Sequence, residues 1–240
     1  YRMIPACING FFFIPIYYVF SDPKILLFTE ALVIGLGALP LYWFGKHLFG
    51  SKSLLALLGP FVYLVNPMVH DVNLYDFHAL ALAMPLILFA FYFMYTKRYI
   101  WFYIFAILIV LTKEDMPLIV FMLGLYMIFV QKEVKRGLVV SVAALLYFFV
   151  TVEVIMPFFA NGEKPLLVAQ RYAHLGGTVP NIVFNLILHP WLLITNLLND
   201  YKYAYIITLL TPVLFVPIVS LEILLLSLPT VFINLLSLNP

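Results

Sequence analysis

Lys113, Glu114 and Asp115 stand between two oily runs, Tyr99 to Thr112 and Met116 to Val130. In a membrane chain, charge at or near bilayer depth is costly and faces a polar cavity or a partner. The flanking runs are also short. As helices, roughly 15 residues at about 1.5 Å each reach about 22 Å, against a hydrocarbon core of about 30 Å. These constraints predict a helical hairpin whose tip is drawn into the membrane or into a cavity at its surface.

The rest of the chain is of the same kind. Hydrophobic residues make up 65% and charged residues 10%, and the mean hydropathy is +1.09. A soluble domain is about half apolar and a quarter charged. The expectation is therefore an all-α, polytopic integral membrane bundle in the cell membrane, a single transmembrane domain over residues 1–240, with membrane lipid as its surroundings. A net charge of +2 without a basic cluster interleaved with aromatics argues against a nucleic-acid partner. The single cysteine, Cys7, excludes an internal disulfide and a cysteine zinc site. The chain starts at Tyr1 and ends at Pro240 after an apolar run, with no signal-peptide pattern. It reads as an internal piece of a longer protein.

Further spans are predicted over Leu26 to Phe44, Leu54 to Val65, Phe77 to Tyr95, Leu138 to Phe158, Tyr203 to Val219 and Leu221 to Leu238. Pro40 should kink the first, and Gly35 and Gly37 permit close packing there. Asn66 to Asp76 reads as a polar loop. Ala160 to Tyr201 is a long loop with two apolar stretches, Ile182 to Leu188 and Trp191 to Leu198, expected as short interfacial helices. Glu30, Glu153 and Glu222 read as single interfacial acids. The turns holding Lys46 and Lys52, Lys97 and Arg98, and Lys132, Lys135 and Arg136 carry seven of the thirteen basic residues. The positive-inside rule places them in the cytoplasm. The Lys113–Asp115 tip, the Asp76 loop and the long loop then open on the extracytoplasmic face.

Three clusters could carry chemistry. Asp76 and His78 are two residues apart at the mouth of a span, a spacing that suits a shared ligand or metal, although Asp76 serves equally as an N-cap. Glu114 and Asp115 form a carboxylate pair able to hold a divalent cation or act as general base, and Lys113 can meet a phosphate. The alternative is a solvated turn in which Asp115 caps the next helix. Arg171, close to Gly176 and Gly177, could clamp a phosphate, or be an ordinary loop arginine. No Walker loop, dinucleotide fingerprint, HExxH or GxSxG motif is present.

The strings EALVIGLGALPLYWFGKHLFGSKS, NLYDFHALALAMPLILFAFYF and LTKEDMPLIVFMLGLY resemble a prokaryotic membrane family, domain of unknown function 2079. The likeness continues through RYAHLGGTVPNIVFNLILHP to LSLPTVFINLLS. Ala79 stands where the family's FDFHP-like pattern has proline, and the KED string is the most specific match. The family is similar to the GT-C glycosyltransferases, membrane enzymes that take sugars from polyprenyl-phosphate donors on the outer face. The resemblance implies a GT-C-like bundle and a polyprenyl-phosphate sugar donor. Asp76, His78, Lys113, Glu114, Asp115 and Arg171 would bind substrate. Asp76, His78, Glu114 and Asp115 would be available to a divalent cation, Mg or Mn. Such enzymes carry a catalytic aspartate after the first span, which by this alignment falls before Tyr1. A transporter or channel, or a non-catalytic lipid-binding scaffold, are the other readings.

Overall fold

The computed structural model describes residues 18, 22, 24–50, 52–74, 77, 79–159, 172, 175, 179–189, 191, 200–211 and 221–236. Among the described residues the regular elements are all helical. They divide into two compact units, Tyr1–Ala144 and Leu145–Pro240.

In the first unit, Asp22 caps α1 (Lys24–Leu36), its Oδ1 accepting from the Lys24 amide at 2.9 Å. The chain turns tightly at Gly37, whose amide donates to Ile34 O at 3.0 Å, and continues as α2 (Ala38–Phe49). Proline lacks an N–H and crowds the carbonyl four residues before it, so Pro40 disturbs the ladder at Leu36. The discontinuity therefore falls at Gly37, ahead of the proline. Tyr63 fills the gap: its hydroxyl donates to Ile34 O at 2.8 Å. A Cβ on Gly37 would sit 2.5 Å from the Tyr63 hydroxyl oxygen, whereas Gly35 faces open space. Only one of the two glycines is needed for packing. Lys24–Phe49 as a whole, 26 residues, is long and apolar enough to cross a membrane.

A 3-10 turn, Leu54–Leu57, leads into α3 (Leu58–Val65). The next segment corrects the sequence reading. Residues expected as a polar loop form α4 (Pro67–Leu74). Asn66 is extended and its Oδ1 accepts from the Met68 amide at 2.9 Å, with Pro67 in the first helical position. That cap takes the donor that Leu64 O would have used in a continuous helix. His70 Nε2 donates to Leu64 O instead, at 2.7 Å. The two helices meet at 44°, as a broken span or a re-entrant loop.

A second 3-10 turn, Ala79–Leu82, opens α5 (Ala83–Tyr95), followed by α6 (Tyr99–Val110), α7 (Met116–Phe129) and α8 (Val134–Val150). Helices α6 and α7 have 12 and 14 residues, short as expected. Rings lock α2, α5 and α6 together: Trp43 lies 5.2 Å from Tyr92 and 5.8 Å from Phe89, and Phe89 stacks on Phe105 at 4.9 Å. Such pairs contribute about 0.5–1.5 kcal/mol each beyond their burial.

Lys97 ends α5 in the left-handed region, φ 58°. The Arg98 amide returns to Phe93 O and the Lys97 amide to Met94 O, the Schellman pattern. Lys132, φ 60°, plays the corresponding part after α7. The side chain of Gln131 donates to Met94 O at 3.0 Å, joining the two turns. His47 of α2 lies edge-on to Tyr95, 6.0 Å between ring centroids. The three basic turns thus lie at one end of this unit. The Lys113–Asp115 tip, reached by one length of α6, lies at the other.

Helix α8 continues through a π-helical turn, Thr151–Ile155, to Phe159. Pro157 supplies no N–H to Glu153 O, which accounts for the wider turn. Val134–Phe158, 25 residues, is the second helix long enough to cross. The second unit also holds α9 (Val179–Leu188), α10 (Asp200–Leu210) and α11 (Leu221–Leu236). Helix α9 contains the Ile182 to Leu188 stretch and, at 10 residues, is too short to span. Residues 192–198 lie outside the described residues. The last turn of α11 receives two donors, Tyr172 OH to Ile233 O at 3.0 Å and Lys202 Nζ to Leu235 O. Lys202 is only 3% exposed, and a cation suits a helix C-terminus.

Helices α7 and α8 touch backbone to backbone. A Cβ on Gly124 would lie 2.9 Å from Gly137 O, and one on Gly137 would lie 2.6 Å from Gly124 O. Ser141 Oγ donates across the seam to Phe121 O at 3.2 Å. Gly124→Leu should force the helices apart and destabilise the protein in detergent by about 1–3 kcal/mol. Ser141→Ala, which removes only an interhelical hydrogen bond, should cost about 0.6 kcal/mol. Thermal or SDS unfolding of both variants checks the ordering; equal effects would refute a steric seam.

Candidate functional site

The tip forms because α6 is stopped from within. Thr112 turns back on Ile109 O with both its amide, at 3.0 Å, and its hydroxyl, at 2.7 Å. Lys113 and Glu114 then cross to α7, whose second position is Pro117. Asp115 occupies the N-cap position of α7, yet its side chain makes no capping hydrogen bond. Its Oδ2 instead accepts from Lys113 Nζ at 3.1 Å. The alternative reading, in which Asp115 caps the next helix, does not hold for its side chain, because the neighbouring ammonium draws the carboxylate away from the helix.

Two acceptors are left over. Glu114 Oε2 and Asp115 Oδ1 are buried and accept no hydrogen bond. The Lys113 and Asp115 side chains are partly buried, 33% and 17% exposed. An unmade hydrogen bond at a buried acceptor costs about 1–3 kcal/mol, more when the group is charged. The tip therefore holds acceptor capacity that a substrate hydroxyl, a proton or a cation can use, beside one fixed positive charge.

Glu30 is a further acid at this end. The sequence suggests an interfacial acid, but Glu30 is 1% exposed. The reason is its place one turn before Ile34, on the face of α1 that packs against Tyr63, Val69 and Ala81. That i, i+4 relation was the available signal. Helix α1 packs on α4, on α5 and on the Ala79–Leu82 turn. The start of α5 and the end of α6 are at the same end, since α5 and α6 form an antiparallel pair closed at Lys97. Glu30 and the tip thus belong to the end of the unit opposite the basic turns. Glu153, by contrast, is exposed.

Asp76, His78 and Arg171 lie outside the described residues. Of the four candidate metal ligands only Glu114 and Asp115 are described, and among the described residues no group of three His, Cys, Asp or Glu side chains could hold a metal ion. Two carboxylates with spare buried oxygens match a hard divalent cation in donor type. They make only part of a coordination shell.

A family model described as "Predicted membrane protein (DUF2079)" matches residues 10–240. No curated protein and no solved structure matches the chain.

Because Glu114 carries a buried carboxylate oxygen without a partner, removing its charge in Glu114→Gln should raise the stability of the ligand-free protein, by at most about 1 kcal/mol since the amide still buries polar atoms. Thermal unfolding in detergent reads this directly. A lowered midpoint would mean that the carboxylate is held by interactions a neutral amide cannot replace.

Proposed function

Since the chain belongs to the DUF2079 family of predicted membrane proteins, we propose that it is a membrane-embedded, GT-C-like glycosyltransferase using a polyprenyl-phosphate-linked sugar. The observation that carries this reading is the tip itself: two buried carboxylate oxygens without partners, next to a lysine, between helices too short to span. Ionisable groups so placed are functional by default. The gathering of the basic turns at the opposite end supports putting the tip on the extracytoplasmic face.

In this reading Glu114 and Asp115 orient the sugar hydroxyls or share a divalent cation, Mg or Mn. Such a cation would supply charge neutralisation at the donor phosphate. Lys113 lies within reach of the same phosphate and steadies the leaving group as negative charge develops on it. Asp76, His78 and Arg171 complete the proposed binding set. None of these residues is assigned as the catalytic base.

A transporter is the second reading, favoured by one feature, the 44° break between α3 and α4. Discontinuous helices build the ion and substrate sites of secondary transporters.

The test is lipid-linked sugar turnover by the whole protein in membranes, wild type against Glu114→Gln with Asp115→Asn. The glycosyltransferase reading expects turnover in the wild type and a loss of at least 100-fold in the variant, roughly the scale of losing general acid–base or electrostatic groups, at unchanged abundance. Cation flux that responds to the same substitutions, without turnover of any polyprenyl-phosphate sugar, would replace it with the transporter.

A further inference from the structure

A cleft of about 510 Å³ opens between α2, α5 and α6, walled by Trp43, Phe89, Phe93, Trp101 and Phe105, with Arg98 at its mouth. It lies at the basic end of the first unit, away from the tip, and is independent of the function proposed there. Its walls are preformed: Phe93 contacts both Trp101 and Phe105, at 6.0 and 5.6 Å, and Trp43 contacts Phe89 and Phe93. From Arg98 to Phe105 along α6 is about 10 Å, the depth from a headgroup to the upper part of an acyl chain.

The charges around the mouth are unequal. Glu133 is shared by Lys97, at 3.8 Å, and Arg136, at 2.7 Å. Arg136 also lies over the Tyr99 ring, 4.2 Å from its centroid. Arg98 is exposed and has no acidic partner among the described residues. An unpaired guanidinium above an aromatic slot is complementary to a molecule with a phosphate at one end and a hydrocarbon chain at the other.

We infer that this cleft binds an anionic phospholipid of the leaflet at the basic end, its phosphate on Arg98 and one acyl chain between Trp43 and Trp101. Two of the three tryptophans of this chain line the cleft, so the lipid can be detected without a label on the protein.

The whole protein is placed in phosphatidylcholine nanodiscs containing, at equal mole fraction, either phosphatidylglycerol or phosphatidylcholine with brominated acyl chains, and tryptophan quenching is compared. The expected result is a preference for phosphatidylglycerol of about fivefold, the size of one arginine's attraction to a net-anionic headgroup over a zwitterionic one. It should vanish in Arg98→Gln and persist in Lys97→Gln, which removes an equal charge next door; Trp43→Phe with Trp101→Phe removes the reporters and measures the background from the remaining tryptophan. Equal quenching by the two lipids in the wild-type protein would overturn the proposal without reference to any variant. So would a preference that Lys97→Gln lowers as much as Arg98→Gln, since that reports only the general surface field.

Discussion

A carbonyl released by a helix break has no water to turn to among apolar side chains, and this one constraint organises the structure. Three helix breaks or ends among the described residues come with specific side-chain donors. Ile34 O, at the break, takes the Tyr63 hydroxyl in addition to the Gly37 amide. Leu64 O, left by the Asn66 cap, takes His70. The end of α11 takes Tyr172 and Lys202. The breaks would otherwise be unsatisfied polar sites; with their donors they become fixed corners, and they let short helices pack in an apolar unit.

The tip departs from this rule, which is why it stands out. Asp115 sits where an N-cap belongs, but Lys113 holds its carboxylate, and one oxygen of each acid is left over. The rest of the first unit is arranged to keep this segment in place. Ring contacts between α2, α5 and α6 fix the hairpin below it, and the glycine seam between α7 and α8 fixes its other arm. One oxygen of each carboxylate at the tip is left without a hydrogen bond, which gives this segment spare acceptor capacity beside an ammonium.

The features legible in the sequence were those set by composition and by local spacing. The helical character, the long first span, the short arms of the hairpin and the basic turns follow from apolar run length and charge clustering, and the described residues bear them out. Tertiary competition was not legible. Asp115 has the signature of a cap, and only the position of Lys113 three-dimensionally beside it cancels that role. The polar residues of Pro67–Leu74 masked a helix whose start was nonetheless written in Asn66-Pro67. Glu30 resembled an interfacial acid until the contacts of Ile34 showed which face of α1 is covered. The conformation of Lys97 and Lys132 was hidden for a different reason: both were read as topology signals, while each also closes a helix in a conformation usually left to glycine.

That double use bears on how the two ends of the first unit differ. At the basic end Lys97 and Arg136 share Glu133, and Arg136 also lies over the Tyr99 ring, while Arg98, with no acidic partner among the described residues, lines an aromatic cleft. At the other end a single ammonium is set against two carboxylates at the tip, with Glu30 buried in the helices at that same end. In a bilayer the positive-inside rule would turn this asymmetry into an orientation, because lysine and arginine near short turns resist translocation whereas acids contribute little. The same sequence positions that decide which way the chain inserts therefore also decide which chemistry each face can offer. A phosphate finds an unpaired arginine at one end. A hydroxyl, proton or cation finds unpaired carboxylate oxygens at the other.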